Sequence, residues 1–311
     1  MSFDVVCVGS ATIDTFMTSS SVDVRIDEKS VSLPIGAKIL LDTVVTDVGG
    51  SGVNTSISFS RLGLRTAFLG KLGNDAPAQT ILRRLEKEGV TALKSKAAGK
   101  TGCSFILSGL HHDRTILTYK GSSNALSTND VPWKNLAVEW IYMGTLFGKG
   151  WKTQEKIAQF AKRKGINLVF NPSLYLAEQG VKKLAPVLSA SNILILNKEE
   201  AQSLLKSNGA VSQLLKGLHR FVPLAVITDG PRGAHAFDGK KAYYARAHHL
   251  NVLDPTGAGD AFASGFLAAH IYGKNISECL RWGITQAESI LVKFGATNDL
   301  LTKKKMGGKA C

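Results

Sequence analysis

The chain has 311 residues, 44% hydrophobic and 20% charged, with 38 Lys and Arg against 24 Asp and Glu for a formal net charge of +14. That length and balance allow one large α/β domain or two ordinary ones around a sizeable core, and no apolar stretch approaches the roughly 18–20 residues that cross a bilayer. The four cysteines, Cys7, Cys103, Cys279 and Cys311, show no CxxC or Cys/His spacing, so neither a disulfide framework nor a zinc site is expected, and a reducing cytoplasm fits them.

Short apolar runs alternate with helical patterns along the chain, as in a parallel sheet covered by helices. The first run, Phe3 to Val8, ends in Gly9-Ser10 without a basic flank or cleavage site, so it reads as a buried strand over Val5–Val8 and not as a leader. Segment 12–48 is rich in Thr, Ser and Val with no helical period, and is expected as antiparallel strands outside the main sheet. The spacing predicts a helix at Asn54–Leu62, a strand at Thr66–Leu69 and a helix at Ala76–Glu88. In Thr101–Tyr119, CSFIL and TILTY flank the turn-like Leu110-His111-His112-Asp113, a second antiparallel segment that with the first would cover a site. Strands follow at Trp140–Met143, Leu168–Phe170, Ile193–Leu196 and Ala225–Thr228, and helices at Thr153–Lys164 and Glu199–Leu205. Strands buried on both faces read as continuous apolar runs, as these do. An amphipathic helix is predicted after Asp260, and the Lys- and Gly-rich end Lys303–Cys311 is expected to fray. The expected fold class is α/β: a single domain over 1–311, with a doubly wound, mainly parallel sheet and a small β appendage from about 12–48 and 99–120.

The positive charge raises the question of a nucleic-acid partner. The basic clusters are dispersed: Arg83-Arg84-Lys87, Lys162-Arg163-Lys164, Lys182-Lys183 and Lys303-Lys304-Lys305. All but the last fall in or beside predicted amphipathic helices, where a solvated polar face accounts for them. No aromatic residues interleave with them as a base-stacking surface requires, so no nucleic acid and no membrane is expected as partner. A generally positive field suits an enzyme of anionic substrates such as ATP.

Four polar or glycine-rich segments stand where a strand gives way to a loop or helix, the edge at which open α/β sheets bind ligands. Asp254-Pro-Thr-Gly-Ala-Gly-Asp260 precedes a helix, and the amides of Gly257, Ala258 and Gly259 at its N-terminus would form an anion site suited to phosphate. Asp260, beside that site, is placed to accept a hydroxyl proton; read alone, it is equally an acidic first-turn residue. Gly49-Gly50-Ser51-Gly52-Val53-Asn54 allows close backbone approach to a polyol, with Asn54 offering donor and acceptor; a tight turn is its plain reading. Thr228-Asp229-Gly230-Pro231-Arg232-Gly233 is either a second phosphate loop or a hairpin turn before Ala234–Phe237. Asn197-Lys198-Glu199-Glu200 could hold a hydrated Mg²⁺, although a helix N-cap with an acidic first turn explains the bare pattern better. Gly144 to Gly150 is one residue short of a P-loop and lacks its Ser/Thr. The histidines, His111-His112 and His248-His249 among them, lack ligand spacing to a third partner and read as solvated positions.

Together these segments resemble, in order and spacing, the ribokinase (PfkB) family of carbohydrate and nucleoside kinases over roughly residues 4–298. GGSGVN at 49–54 and DPTGAGDAFASGF at 254–266 are similar to the two family signatures. GKLGNDAPAQTILRRLEKEGV at 70–90, NPS at 171–173, NKEE at 197–200 and TDGPRG at 228–233 fall in the family order. The resemblance implies an ATP-dependent kinase acting on a hydroxyl, a primary CH2OH, of a small sugar. The alternatives are a nucleoside kinase, or a non-catalytic sugar- or nucleotide-binding regulator. It implies Asp260 as catalytic base with Gly257, Ala258 and Gly259 as its anion hole. It further implies Asp14, Gly50, Asn54 and Thr12 on the substrate, and Asn197, Thr228, Gly230, Gly233, Gly257 and Gly259 on ATP. Glu200 would hold Mg²⁺ through water, K⁺ would meet the carbonyls of Asp254 and Thr256, and Gly295-Ala296 would form a nucleotide loop. The segments 12–48 and 99–120 match a β lid that can pair two subunits. Thr12 where ribokinases have Asn, and Ser51 where they often have Lys, count against ribose itself, and DPTG with Pro255 also occurs in nucleoside kinases. Arg114 could reach a substrate phosphate or be a surface charge of the lid.

Overall fold

The computed structural model describes residues 3–20, 25–26, 31–93, 95, 97–110, 113–136 and 138–309. Among them, a nine-stranded sheet runs in the order Ala242–Ala245, Ala234–Phe237, Leu224–Thr228, Ile193–Asn197, Asn167–Phe170, Val138–Met143, Phe3–Val8, Thr66–Leu69, Thr91–Ala92. All neighbours pair parallel except the first three strands, which are antiparallel to one another. The sequence places each predicted strand within one or two residues, because apolar residues fill both faces of a sheet covered on both sides. Period two then divides the core. Val6, Val8, Ile141, Met143, Leu168, Phe170 and Leu194 face one helical layer. Val5, Cys7, Trp140, Tyr142, Val169, Ile193 and Val226 face the other.

The first layer contains Lys149–Lys164, Gly180–Leu188, Lys198–Leu205 and Val211–His219; the second contains Ser51–Arg61, Ala258–Ile271 and Ile276–Ile290. Ala258–Ile271 departs from the expected amphipathic helix. Ala261 to Ala269 are all buried, so it is apolar all round and lies inside the packing. Phe266 and Leu267, both 0% exposed, each contribute about 1.5–3 kcal/mol by burial, which holds the N-terminus of this helix in place. The C-terminal end is a second departure. Lys303–Lys309 forms a helix, because Met306 is fully buried in the second core layer; Ala310 and Cys311 lie outside the described residues.

A four-stranded sheet, ordered Thr43–Gly49, Thr12–Thr18, Gly102–Leu110, Asp113–Tyr119, carries the two Thr- and Ser-rich segments. It is not wholly antiparallel as expected: Thr12–Thr18 runs parallel to Gly102–Leu110. Those strands come from distant parts of the chain, so their relative direction is set by the main sheet that each leaves. Arg25–Ile26 and Val31–Ser32 form a separate two-stranded ladder. No described helix is long and apolar enough to cross a membrane.

Candidate active site

The carboxyl ends of five main-sheet strands converge on one cavity of about 450 Å³. Its walls include Ser10 after Phe3–Val8, Thr145 after Val138–Met143, Asn171 after Asn167–Phe170, Asn197 at the end of Ile193–Asn197, and Thr228 at the end of Leu224–Thr228. The small sheet closes the opposite side with Thr12, Asp14 and Ser104. These walls are the carboxyl ends of strands or the sheet that hangs over them.

Asp260 lines the cavity from the first turn of the buried helix. Asn54 Nδ2, from helix Ser51–Arg61, donates to Asp260 Oδ2 at 2.9 Å. The other end of the same amide, Asn54 Oδ1, is buried with no hydrogen-bond partner among the described residues. A buried, unpaired acceptor is costly unless a ligand satisfies it, so Asn54 is placed to hold the carboxylate with one hand and a hydroxyl with the other. Desolvation pushes the Asp260 carboxyl up to about 6; the Asn54 bond opposes this, the charge of Asp14 adds to it, and Lys120 lowers it. Burial likewise raises Asp14, against hydrogen bonds from Thr12 and Ser104 and the charge of Lys120. Thr12 Oγ1 donates to Asp14 Oδ1 at 2.8 Å. Gly49 is required here, because a Cβ would collide with Asp14 Oδ2. Gly50 has φ +90 and a Cβ there would fall 2.6 Å from the Ser10 carbonyl, a position only glycine takes without strain.

The phosphate-type segment at 254–260 is partly rearranged from expectation. Gly257 adopts the left-handed conformation at φ 82 as the helix N-cap, and a Cβ on it would collide with Ala296. Gly257 and Gly259 line the cavity. Ala258 does not: its amide donates to the Pro255 carbonyl at 3.2 Å, so the turn consumes the donor expected of it. Asp254 is buried behind the wall. Its Oδ1 accepts from the Thr256 amide and hydroxyl at 3.0 and 2.7 Å, while Oδ2 is left without a hydrogen-bond partner.

Asn197 and Glu200 line the cavity and also cap their helix. Asn197 Oδ1 accepts from the Glu200 amide and Glu200 Oε2 from the Asn197 amide, both at 2.8 Å. The plain N-cap reading is therefore realised. Glu200 is nevertheless pushed up to about 7, first by desolvation and then by the charges of Glu199 and Asp260. Thr228 lines the cavity, whereas Gly230 and Gly233 do not. They form the turn between two antiparallel strands, with Gly233 at φ 91 packed against the Ala245 carbonyl and accepting from the Asp229 amide. The hairpin reading holds for those two glycines.

The family model described as pfkB family carbohydrate kinase matches residues 2–303. The chain belongs to the pfkB family of carbohydrate kinases. Among relatives of this kinase, an uncharacterized sugar kinase of Archaeoglobus fulgidus is 26% identical over 78% of this chain and 98% of its own. A cytidine kinase of Thermococcus kodakarensis is 27% identical over 94% and 97%. The solved ribokinase of Arabidopsis thaliana shares the fold at a TM-score of 0.82, with 22% identity and coverage of 100% and 99%.

Several walls of this pfkB-family kinase were missed in the sequence. Lys120, half-buried, feels the charges of both Asp14 and Asp260, and burial holds its ammonium below the usual lysine range. Ile116 and Thr118 line the cavity with it, as does Arg114, already a candidate from the sequence for a substrate phosphate. The signal was present: in DRTILTYK these four stand two residues apart, one face of a strand. Asn171, noted only within NPS, accepts from the Tyr142 hydroxyl at 2.8 Å and donates to the Ile195 carbonyl at 2.7 Å. His111 and His112 lie outside the described residues. Among the described residues no cluster of His, Cys, Asp and Glu could hold a metal by itself.

Proposed function

We propose that this kinase transfers the γ-phosphoryl group of ATP to a hydroxyl, a primary CH2OH, of a small sugar, with Asp260 as the base. The carrying observation is the Asn54–Asp260 bond at 2.9 Å beside a buried amide oxygen left for a ligand. Asp260 takes the hydroxyl proton as that oxygen attacks phosphorus in line. Asp14, Asn54, Thr12 and Gly50 hold the sugar. The amides of Gly257 and Gly259, at the positive end of a helix, stabilise charge on the transferred group. Thr228 and Asn197 face the triphosphate, and Gly295-Ala296 abuts Gly257 as the nucleotide loop. The solved Arabidopsis relative is described as complexed with ribose and ATP, which supports the donor.

Two cations fit residues present here. Glu200, raised to about 7 beside other carboxylates, is a suitable ligand, through water, for Mg²⁺, which would neutralise phosphate charge. The unpartnered, buried Asp254 Oδ2 fits a monovalent ion near the carbonyls of Asp254 and Thr256. The small sheet, 12–48 and 99–120, acts as the lid of a single domain and excludes water on closing. Its outer face exposes Val44, Phe105, Leu117 and Tyr119, which supports a homodimer through the lid. The unpaired thiols of Cys7, Cys103 and Cys279 support a cytoplasmic protein.

Among the described residues, the lid presents Asp14, Ser104, Thr118, Lys120 and Arg114 to the cavity and only Ile116 as an apolar group. That polarity favours a sugar. Ile116 with Tyr175 across the opening supports the second reading, a nucleoside whose base they would cover. ADP release against sugars, sugar phosphates and nucleosides separates these readings, and a protein that binds without releasing ADP would be the regulator. Asp260→Asn is expected to keep ATP binding and lose roughly 10²–10⁴-fold in turnover; a near-normal rate removes Asp260 from the mechanism.

A further inference from the structure

Two cations of the lid strand remain without a part in phosphoryl transfer. Arg114 and Lys120 lie on the cavity face of Asp113–Tyr119 and its continuation, separated by Ile116 and Thr118. At about 3.3 Å per strand residue their backbones are some 20 Å apart, so the two side chains bracket the cavity and do not converge on one atom. Lys120 marks the reacting end, where the charges of Asp14 and Asp260 act on it. Arg114 marks the far end, opposite Ser108 in the ladder. Its Nε is closed to solvent, although residues 115–119, on both faces of the strand, are all exposed. A guanidinium that lines a ligand cavity, with its Nε closed to solvent, is suited to the paired oxygens of a carboxylate or phosphate. The cavity also carries three carboxylates, Asp14, Glu200 and Asp260. A triphosphate and a second anion can share it only if cations offset them.

We propose that the accepted sugar is itself an anion, with a phosphate or carboxylate at the end away from the hydroxyl presented to Asp260, and that Arg114 grips that group. Lys120 offsets Asp14 and Asp260 between them, and Thr118, Ser104 and Asp14 hold the intervening hydroxyls. This rests on the sugar-kinase reading above and narrows its substrate class.

The test is ADP release by the full chain on matched sets: a neutral pentose or hexose, its terminal phosphate ester and its terminal acid. One anionic member is expected to exceed the neutral parent by roughly 10–100-fold in kcat/KM, the range of a charge-assisted contact, and which member does so distinguishes phosphate from carboxylate. Arg114→Gln is expected to erase that preference mainly through KM and to flatten its dependence on ionic strength, and Arg114→Lys to restore part of it. Neutral sugars that serve as well as both anionic members, or a preference untouched in Arg114→Gln, overturn the anionic assignment and leave the kinase intact. No ADP release from any member, nucleosides included, overturns the kinase reading itself. Should Arg114→Gln fail to fold, the wild-type comparison and Arg114→Lys still decide.

Discussion

Asp260 must be ionised to accept a proton, and burial raises its value to about 6. With the proposed base, kcat/KM for the sugar should fall as pH drops through about 6 and level off above it. Lys120 lowers the Asp260 value, so Lys120→Met should move this acid limb to higher pH; an unmoved limb would separate Lys120 from the base. The same burial carries a stability cost. A carboxyl raised in the fold favours folding while protonated, and that contribution is lost as pH rises through the folded value. Asp260→Asn should therefore melt higher than the parent near pH 8, with the difference shrinking below about pH 6 and gone below about pH 3, where both folded and unfolded carboxyls are protonated. Equal melting at the two ends of this range would refute the burial account. Asp260 and Asn54 were legible in the sequence because glycines beside a polar residue at fixed spacing mark a strand end, whereas Asp14 entered only through the family resemblance. Lys120 was not, because nothing local says that its strand faces the site. Arg84, read as part of a solvated helical face, belongs instead to an ionic cluster with Glu88, Asp47 and Thr297.

That cluster ties elements together. Arg61, at the end of helix Ser51–Arg61, donates Nε and Nη2 to Glu88 at 2.8 and 2.6 Å and Nη1 to the Thr297 carbonyl at 3.0 Å. Thr297 directly follows the Gly295-Ala296 loop that packs on Gly257, so the cluster fixes the helix carrying Asn54 against the proposed nucleotide loop. Arg61→Ala removes two hydrogen bonds to a partly buried Glu88, leaving it Arg84 alone, together with the one to the Thr297 carbonyl, and should cost roughly 2–3 kcal/mol in a denaturant titration. Arg65→Ala, which breaks the exposed pair with Asp4, should change little; equal losses would show the cluster to be no stronger than a surface pair. A second polar junction crosses the core: the Ser264 hydroxyl and Gln286 Nε2 both donate to Ser58 Oγ, at 2.6 and 2.9 Å. It joins the helices of Asn54 and Asp260. Element types were read correctly in most of the chain because their hydrophobic periods are strong. Helix Ala258–Ile271 misled because its small and apolar residues can fill an all-round buried helix as well as one stripe.

Across the whole molecule, the outer face of the lid sheet exposes Phe105 at 47%, Tyr119 at 56% and Leu117 at 67%. Apolar side chains in one sheet face favour a partner surface, and sedimentation should show a concentration-dependent dimer that Leu117→Lys reverts to monomer. A wild-type chain that stays monomeric at high concentration would remove the lid as an interface. By itself, the sequence determined the strand-by-strand frame and a candidate phosphate cradle, because doubly covered strands and such cradles impose local residue patterns that survive without neighbours, while the reaction class followed from the order of its motifs and their family resemblance. Only the tertiary structure decided which donors stay free, as when the Pro255 carbonyl takes the Ala258 amide, and which strand face closes the cavity. Those outcomes depend on pairings such as Asp14 with Ser104, formed across 90 residues of chain, where direction and register are set by packing and not by local spacing.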